Sequence, residues 1–591
     1  MSKPPSGKIL KVTVRRKQKN GDIYVYERET QYDPQKKYNK VLSSQLLYKI
    51  PAGSTEPVPT RPKRKSAQRD TAPANSSSGQ TTDAPGTSQD DIEAYCERSG
   101  LTSILQHVGK SSGIDAAVMR SMDEADALKA ISLARYIVAT NGAPLPEIEE
   151  WQIRHSLPYK EGVTEVIYHD LFVRLGHDET ARQKIFAHLS NGVTMDGIFY
   201  DSTTVSTYSE NINEARYGFN KDNDDLPTIK ILTFYSRNEH RPIAFYMQPG
   251  NIPDQISVPN ALAELDFLHI KRCVMVTDTG FCTEAALTSY VRNNFKFLTL
   301  ISPDRKWVQP IVQSALPELE KFASTNDSDL DIRQYSLTTF HDFSWQRERS
   351  RGDKAKGDTE SVRRRVYVHV FKSAGRANVA SDVFQRDLMH LKKCIEQGKV
   401  LSKGEEERKT RFFTVRKVHG KTIVSFKEDA CSLAQRLKGV FVLISNSVKE
   451  TDVALRMYRD REWIEEFYGT MKNKADGAKT RVWSYETFKG RVTVQFIALC
   501  YYSWLYKRLG EMKTSLGKAN GDPKHDLEEN IKLEKKLLSW LVNKSLHQIL
   551  LWFDSIETTT ASRGGKIRSW TTELTARDTL FLEKLGMKLH P

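Results

Sequence analysis

Polar and apolar positions alternate through the first fifty residues. KILKVTVRRK and DIYVYERETQY flank the turn-forming QKNG at 18–21, which predicts a β-hairpin, and VLSSQLLYKI adds a third short element. From 51 to 90 large apolar residues almost vanish among Pro, Ser, Thr, Gly and Ala. That stretch cannot bury enough surface to fold and is expected to be a disordered linker. Helical spacing takes over across 91–192, in IEAYCERSGLTSILQHV, EADALKAISLARYIVA and TEVIYHDLFVRL, with a break at GAPLPE, so a helical domain is expected there.

From 193 the pattern changes to short strands. DGIFYDSTTVST, IKILTFYS and PIAFYMQPG are followed by a helix at VPNALAELDFLHI, a strand at CVMVTD, a helix at FCTEAALTSYVR and a strand at FKFLTLIS. That order predicts an α/β fold with an RNase H-like core, its first part over 193–302. The second part is expected over 439–515, with a buried strand at GVFVLISNS and a helix at TFKGRVTVQFIALCYYSWLYKRL. Between them, 303–438 carries the alternating segments IRQYSLTTF, RRRVYVHVF and RFFTVRKV and one long helix, and reads as a β-rich insertion domain. Residues 516–591 read as a helical C-terminal region, interrupted by the polar break TTTASRGGKIRSW.

The stretch YRDREWIEEFYGTMK, 458–472, separates into two faces when wound as one helix. Tyr458, Arg461, Glu465 and Lys472 fall within an arc of about 60°, opposite an apolar stripe of Met457, Trp463, Ile464, Phe467 and Met471. Asp460 interrupts the stripe, as a first-turn carboxylate facing the helix dipole. A phenol, two cations and a carboxylate on one face can grip a phosphodiester and a metal. The plainer alternative is a solvated i,i+4 pair of Arg461 and Glu465, worth about 0.3–0.5 kcal/mol.

Two further carboxylates, Asp201 in IFYDSTT and Asp278 in VMVTDTG, are expected at strand ends, where an open sheet presents side chains to its ligand crevice. Either alone is as well explained by a turn or a helix cap. The spacing Y-x2-R-x3-E-x6-K, with one Asp on the first strand, one on the fourth and Glu465 on a late helix, resembles the YREK signature of bacterial insertion-sequence transposases of the DDE class. The resemblance covers residues 196–510. It implies that Asp201, Asp278 and Glu465 hold two Mg²⁺ ions, with Mn²⁺ able to substitute, for two-metal phosphoryl transfer. It also implies that Tyr458, Arg461 and Lys472 contact phosphates of the transposon end. Binding of terminal inverted repeats, joining of 3′ ends to target DNA and action as a homodimer are implied with them.

Charge agrees with a polyanionic partner: 89 Lys and Arg against 74 Asp and Glu give a net +15. Residues 1–70 alone carry seventeen basic and six acidic residues, which points to DNA backbone contact. Six scattered cysteines form no metal-ligand spacing and read as core residues in a reducing compartment. VQFIALCYYSWLY is too short and too aromatic to span a bilayer, so a soluble intracellular protein without a membrane partner is expected, and the resemblance implies a cytoplasmic, nucleoid-associated one. Two other readings stay open. D-T-G at 278–280 with D-S-T at 201–203 imitates an aspartic-protease dyad, and a DNA-binding relative could keep the fold without the reaction.

Overall fold

The structure is a computed structural model. It describes residues 9–17, 23–33, 38–50, 58–59 and 93–587, apart from 194–195, 269, 271–272, 347–358, 419–420, 476, 478, 481, 520–527 and 564–565. Two compact units emerge, 1–86 and 87–591. In the first, strands Ile9–Lys17, Ile23–Asp33 and Tyr38–Ile50 form an antiparallel meander, to which Val58–Pro59 adds a short fourth strand. Apart from those two residues, the expected linker at 51–90 lies outside the described residues.

The second unit is built on one large mixed sheet. We label its main strands β1 (Ile198–Thr207), β2 (Thr228–Ser236), β3 (Arg241–Pro249), β4 (Val274–Thr277), β5 (Lys296–Ile301), β6 (Asp329–Gln346), β7 (Thr359–Ser373) and β8 (Val440–Ser445). Across the sheet they lie in the order β6-β7-β8-β5-β4-β1-β2-β3. β1, β4 and β5 run parallel, while β2 and β3 turn back beside β1 as an antiparallel meander. Every residue of β1 and β2 is buried, as strands covered on both faces must be.

The principal helices are α1 (Glu165–His177), α2 (Ala374–Glu396), α3 (Thr451–Arg459), α4 (Glu462–Lys474), α5 (Tyr485–Ala519) and α6 (Leu546–Asp554). One hydrophobic cluster runs from Leu101 to Met587, so the helices before the sheet and after it share a core with the strands. On one face Phe186, Phe245 of β3 and Phe496 of α5 meet with ring centroids 5.1–5.3 Å apart.

The long α5 lies against α1 at backbone contact distance. A Cβ on Gly490 would overlap the Phe172 carbonyl oxygen, and one on Gly176 would overlap the Glu486 carbonyl. Backbone in two packed helices cannot swing aside as a side-chain tip can. Gly490→Ala is therefore expected to cost about 1–3 kcal/mol, although alanine is the better helix former. The denaturation midpoint of the variant checks this. An unchanged or raised midpoint would mean the helices can separate freely.

Four sequence expectations need correction. Glu93–Arg98, read as the start of a helix, is a strand paired with Glu557–Arg563, and the helix begins at Ser99. The polar break in the C-terminal region is the hairpin Glu557–Arg563 and Lys566–Thr571. The segment 303–438, read as a β-rich insertion domain, carries four helices among its described residues besides its strands, and its strands β6 and β7 extend the main sheet. Among the described residues a smaller cluster around Phe384, Leu388, Phe412 and Phe413 forms a core of its own there. Finally, 458–472 is not one helix. α3 ends at Arg459 and α4 begins at Glu462, joined through Asp460 and Arg461 by i→i+3 hydrogen bonds.

Candidate active site

The parallel pairing of β1 with β4 brings two carboxylates together. Ile198 is opposite Met275 and Phe199 opposite Val276, so the same register carried two residues on sets Asp201 beside Asp278. Asp278 directly follows β4, as expected of a strand-end residue. Asp201 does not end its strand but lies inside β1, just past the last residue that pairs with β4. α4 then crosses this edge. Its apolar residues Ile464, Phe467 and Met471 are buried, Trp463 is half-buried, and Glu465 is turned toward the two aspartates.

At the centre of the carboxylates is Arg461. Its guanidinium lies 3.1 Å from Asp201 Oδ2, 3.5 Å from Asp278 Oδ2 and 2.5 Å from Glu465 Oε1. Tyr458 lies under the same group, with the guanidinium carbon 5.5 Å from its ring centroid, and its hydroxyl donates to Asp278 Oδ1 at 3.2 Å. The break between α3 and α4 makes this possible, because it frees Arg461 from a regular helix face. Asp460, which interrupts the apolar stripe, is held by Arg237 at 2.6 Å and pins the junction.

The carboxylates form a gradient of exposure. The side chain of Asp201 is 10% exposed, that of Asp278 40% and that of Glu465 54%. Burial pushes the Asp201 carboxyl above the usual range, and the charge of Asp278 adds to this; Lys221, Arg461 and the Ser202 amide oppose it without reversing it. For Arg461, burial works against the charge. Tyr458, Asp201, Asp278 and Glu465 outweigh it, so the guanidinium pKa is raised. Burial, followed by the charge of Asp278, raises the Tyr458 phenol.

Lys472 is not part of this cluster. Its ammonium is bound by both oxygens of Asp222, at 2.8 and 2.7 Å, in the connection between β1 and β2. Three supporting residues escaped the sequence analysis. Tyr468 donates to the Asp201 carbonyl at 2.6 Å, Lys221 donates to the Ser202 carbonyl, and Asp254 accepts from Ser202 Oγ at 3.1 Å while pairing with Lys230 at 2.7 Å. Tyr468 carried a signal, one turn after Glu465 on the same side of the helix. The loop residues carried none.

A cavity of about 660 Å³ opens beside Asp278, Tyr458, Arg461 and Glu465. Its far wall holds Phe441 and Arg376, in the first turn of α2, where Ser373 caps the helix. That helix N-terminus already has its anion: Asp331 accepts from the Gly375 N–H at 2.7 Å and from Ser373 Oγ at 2.6 Å.

Among the described residues no three His, Cys, Asp or Glu side chains are close enough to share one metal ion, because Arg461 fills the space between the carboxylates. Their chemistry nevertheless suits a hard divalent cation. All the donors are oxygens, and three carboxylates outnumber the one guanidinium between them. The same arrangement excludes the protease dyad. Two aspartates that share a proton must touch, and a guanidinium touches both of these.

The six cysteines are free; Cys96 is exposed, Cys431 half-buried and the other four buried. No helix among the described residues is long and apolar enough to cross a membrane. No curated protein matches the chain. Among solved structures, a cryo-EM synaptic complex of piggyBac transposase with hairpin DNA aligns with 76% of this chain and 86% of its own at 9% identity. The TM-score of that alignment is 0.33. The family described as Transposase DDE domain matches residues 193–501, more than half of the chain, and the chain therefore belongs to that family of DDE transposases.

Proposed function

We propose that this DDE transposase is an insertion-sequence enzyme of the YREK type, of bacterial origin, with an RNase H-like core. In this reading it cleaves DNA at terminal inverted repeats and transfers the 3′ ends to a target, as a homodimer. The strand order β3-β2-β1-β4-β5, with β1, β4 and β5 parallel, supports the core assignment. The observation that carries the chemistry is the convergence of Asp201, Asp278 and Glu465 on one cation position at the edge of that sheet.

Asp201, Asp278 and Glu465 would hold Mg²⁺ or Mn²⁺. Bound there, divalent ions supply Lewis-acid stabilisation of a phosphoryl oxygen and activation of a water or 3′ hydroxyl. The chain's own residues do the rest. Tyr468 and the Ser202 amide fix the backbone and side chain of Asp201. Tyr458 orients Asp278. Arg461 offsets part of the charge of the three carboxylates, and its guanidinium would be free to grip a phosphate if a divalent cation were held in its place. Residues 1–70 contribute backbone contacts through a surplus of eleven positive charges.

The test is strand cleavage of a duplex that carries the element's inverted repeat. Mg²⁺-dependent nicking is expected, and absence of nicking with either Mg²⁺ or Mn²⁺ would defeat the proposal. Deleting residues 1–70 should flatten the salt dependence of end binding, by about 0.9 in the log–log slope per lost phosphate contact. Lys472→Ala is the second arm. Because Asp222 already holds the ammonium, the lysine reaches a phosphate only by exchanging partners. Cleavage should fall about tenfold, the equivalent of one charge-assisted hydrogen bond of roughly 1.5 kcal/mol, with the metal requirement unchanged. Wild-type cleavage by the folded variant would make Lys472 part of a structural pair alone.

A further inference from the structure

The back of the catalytic helix carries a second groove. α4 turns Glu465 toward the carboxylates and the opposite side, with Trp463, Glu466 and Phe467, toward α5. Two adjoining chambers lie between these helices, of about 560 and 500 Å³, sharing a wall made by Glu466, Tyr502, Tyr506 and Gly510.

The first chamber is aromatic. Trp463 and His240 face each other with ring centroids 3.6 Å apart, and Tyr502 and Tyr506 stack at 6.4 Å. His240 is held at φ 50°, a left-handed conformation that costs a non-glycine residue energy, in the turn between β2 and β3. Burial and then the charge of Lys507 lower the His240 pKa, so its ring is a neutral plane at pH 7. The second chamber is cationic, lined by Lys474, Lys513, Lys544 and His547. Among the described residues no carboxylate lies within ion-pair distance of Lys513 or Lys544, and His547 Nδ1 is buried without a hydrogen-bond partner. Lys474 donates to the Tyr506 hydroxyl at 2.6 Å, which joins the two chambers. The opposing acids are Glu466 and Glu511, the latter paired with Arg508 at 3.0 Å. With Lys507, four lysines face two glutamates.

We infer that this groove binds a nucleoside phosphate, its base against the rings of Trp463, His240 and Tyr506 and its phosphate among Lys513, Lys544 and His547. Aromatic faces accept any base by stacking, and ammonium groups without carboxylate partners accept phosphate oxygens. A free mononucleotide and the terminal nucleotide of a DNA strand present the same chemistry. The inference does not depend on the carboxylates across α4.

The test uses the intact 591-residue protein and calorimetric titration with dAMP, adenosine, inorganic phosphate and a 5′-phosphorylated single-stranded oligothymidylate. dAMP or the oligonucleotide should bind at least tenfold more tightly than adenosine or phosphate, and Asp201→Asn should leave that affinity unchanged. Binding of dAMP assigns the groove to a free nucleotide; binding of the oligonucleotide alone assigns it to a strand end. Lys513→Ala combined with Lys544→Ala should weaken the phosphorylated ligand at least tenfold. Gly510→Leu supplies a variant that still folds, because a Cβ there meets nothing within 4 Å and leucine is the better helix former. It should fill the shared wall and abolish binding without lowering the melting midpoint. Affinity no better than that of inorganic phosphate, or affinity untouched by both sets of substitutions, would overturn the inference.

Discussion

Asp201→Asn should reduce strand cleavage by about a thousand-fold or more while leaving the protein folded. A metal-ligating carboxylate supports several kcal/mol of transition-state stabilisation, and each 1.4 kcal/mol is a factor of ten. The fold has little to lose. Burial raises the Asp201 carboxyl above its ordinary value, so keeping it charged costs the native state free energy, and an amide of the same shape avoids that cost. The sign follows from proton uptake. Between the ordinary carboxylate value and the raised native one, the native state binds more protons than the unfolded chain, so this group's contribution to stability falls as pH rises through that window. The substituted side chain keeps a carbonyl oxygen for the Ser202 N–H and loses only the Arg461 contact. Cleavage and thermal unfolding measured on one preparation separate the two effects. Retention of more than about a tenth of wild-type cleavage, less than 1.4 kcal/mol of barrier, would remove Asp201 from the metal site. Asp278→Asn and Glu465→Gln are companion tests on more exposed positions.

The core was legible because its elements carry their own signal. Buried strands such as IFYDSTTVST and VFVLIS are short, apolar and flanked by breaks, and the stripe Met457, Ile464, Phe467 and Met471 does face the interior. The residues drawn from spacing as a group, Tyr458, Arg461 and Glu465, do meet Asp201 and Asp278 in space; Lys472 does not join them. The departures share one physical cause, a partner distant in sequence. Glu93–Arg98 becomes a strand because Glu557–Arg563 lies beside it, more than four hundred residues away. The helix through Tyr458 breaks where Arg237 takes hold of Asp460, and no local propensity encodes that pair. Asp201 sits within β1 because β1 continues beside β2 long after it leaves β4, so its place at a crevice depends on pairing, not on strand length. Lys472 finds Asp222 in an aperiodic loop. Periodicity reports which face of an element is buried. It does not report which charge waits across the gap.

Arg461→Ala should divide the chain's behaviour according to whether a divalent cation is present. In metal-free buffer the substitution leaves Asp201, itself 10% exposed, without the guanidinium that was 3.1 Å away. Breaking a buried pair by removing one partner costs about 3–5 kcal/mol, and the lower end applies because Asp278 and Glu465 are open enough for water to screen them. The loss should shrink as pH falls and Asp201 takes up a proton, since a neutral carboxyl needs no counter-charge. A cation that binds only the native state adds RT ln(1 + [L]/Kd), about 2.7 kcal/mol at a hundredfold excess over Kd. Without the guanidinium to displace, Mg²⁺ or Mn²⁺ should raise the melting temperature of the variant by more than it raises that of the wild type. Cleavage should still fall further than in Lys472→Ala, because Arg461 bridges Glu465 and both aspartates and its loss loosens three side chains at once. A lysine in place of Arg461 keeps the charge but not the fork that spans separate carboxylates, so Arg461→Lys should recover metal-free stability without recovering cleavage. Equal metal-induced shifts in wild type and Arg461→Ala would show that the guanidinium and the ion do not compete for one position.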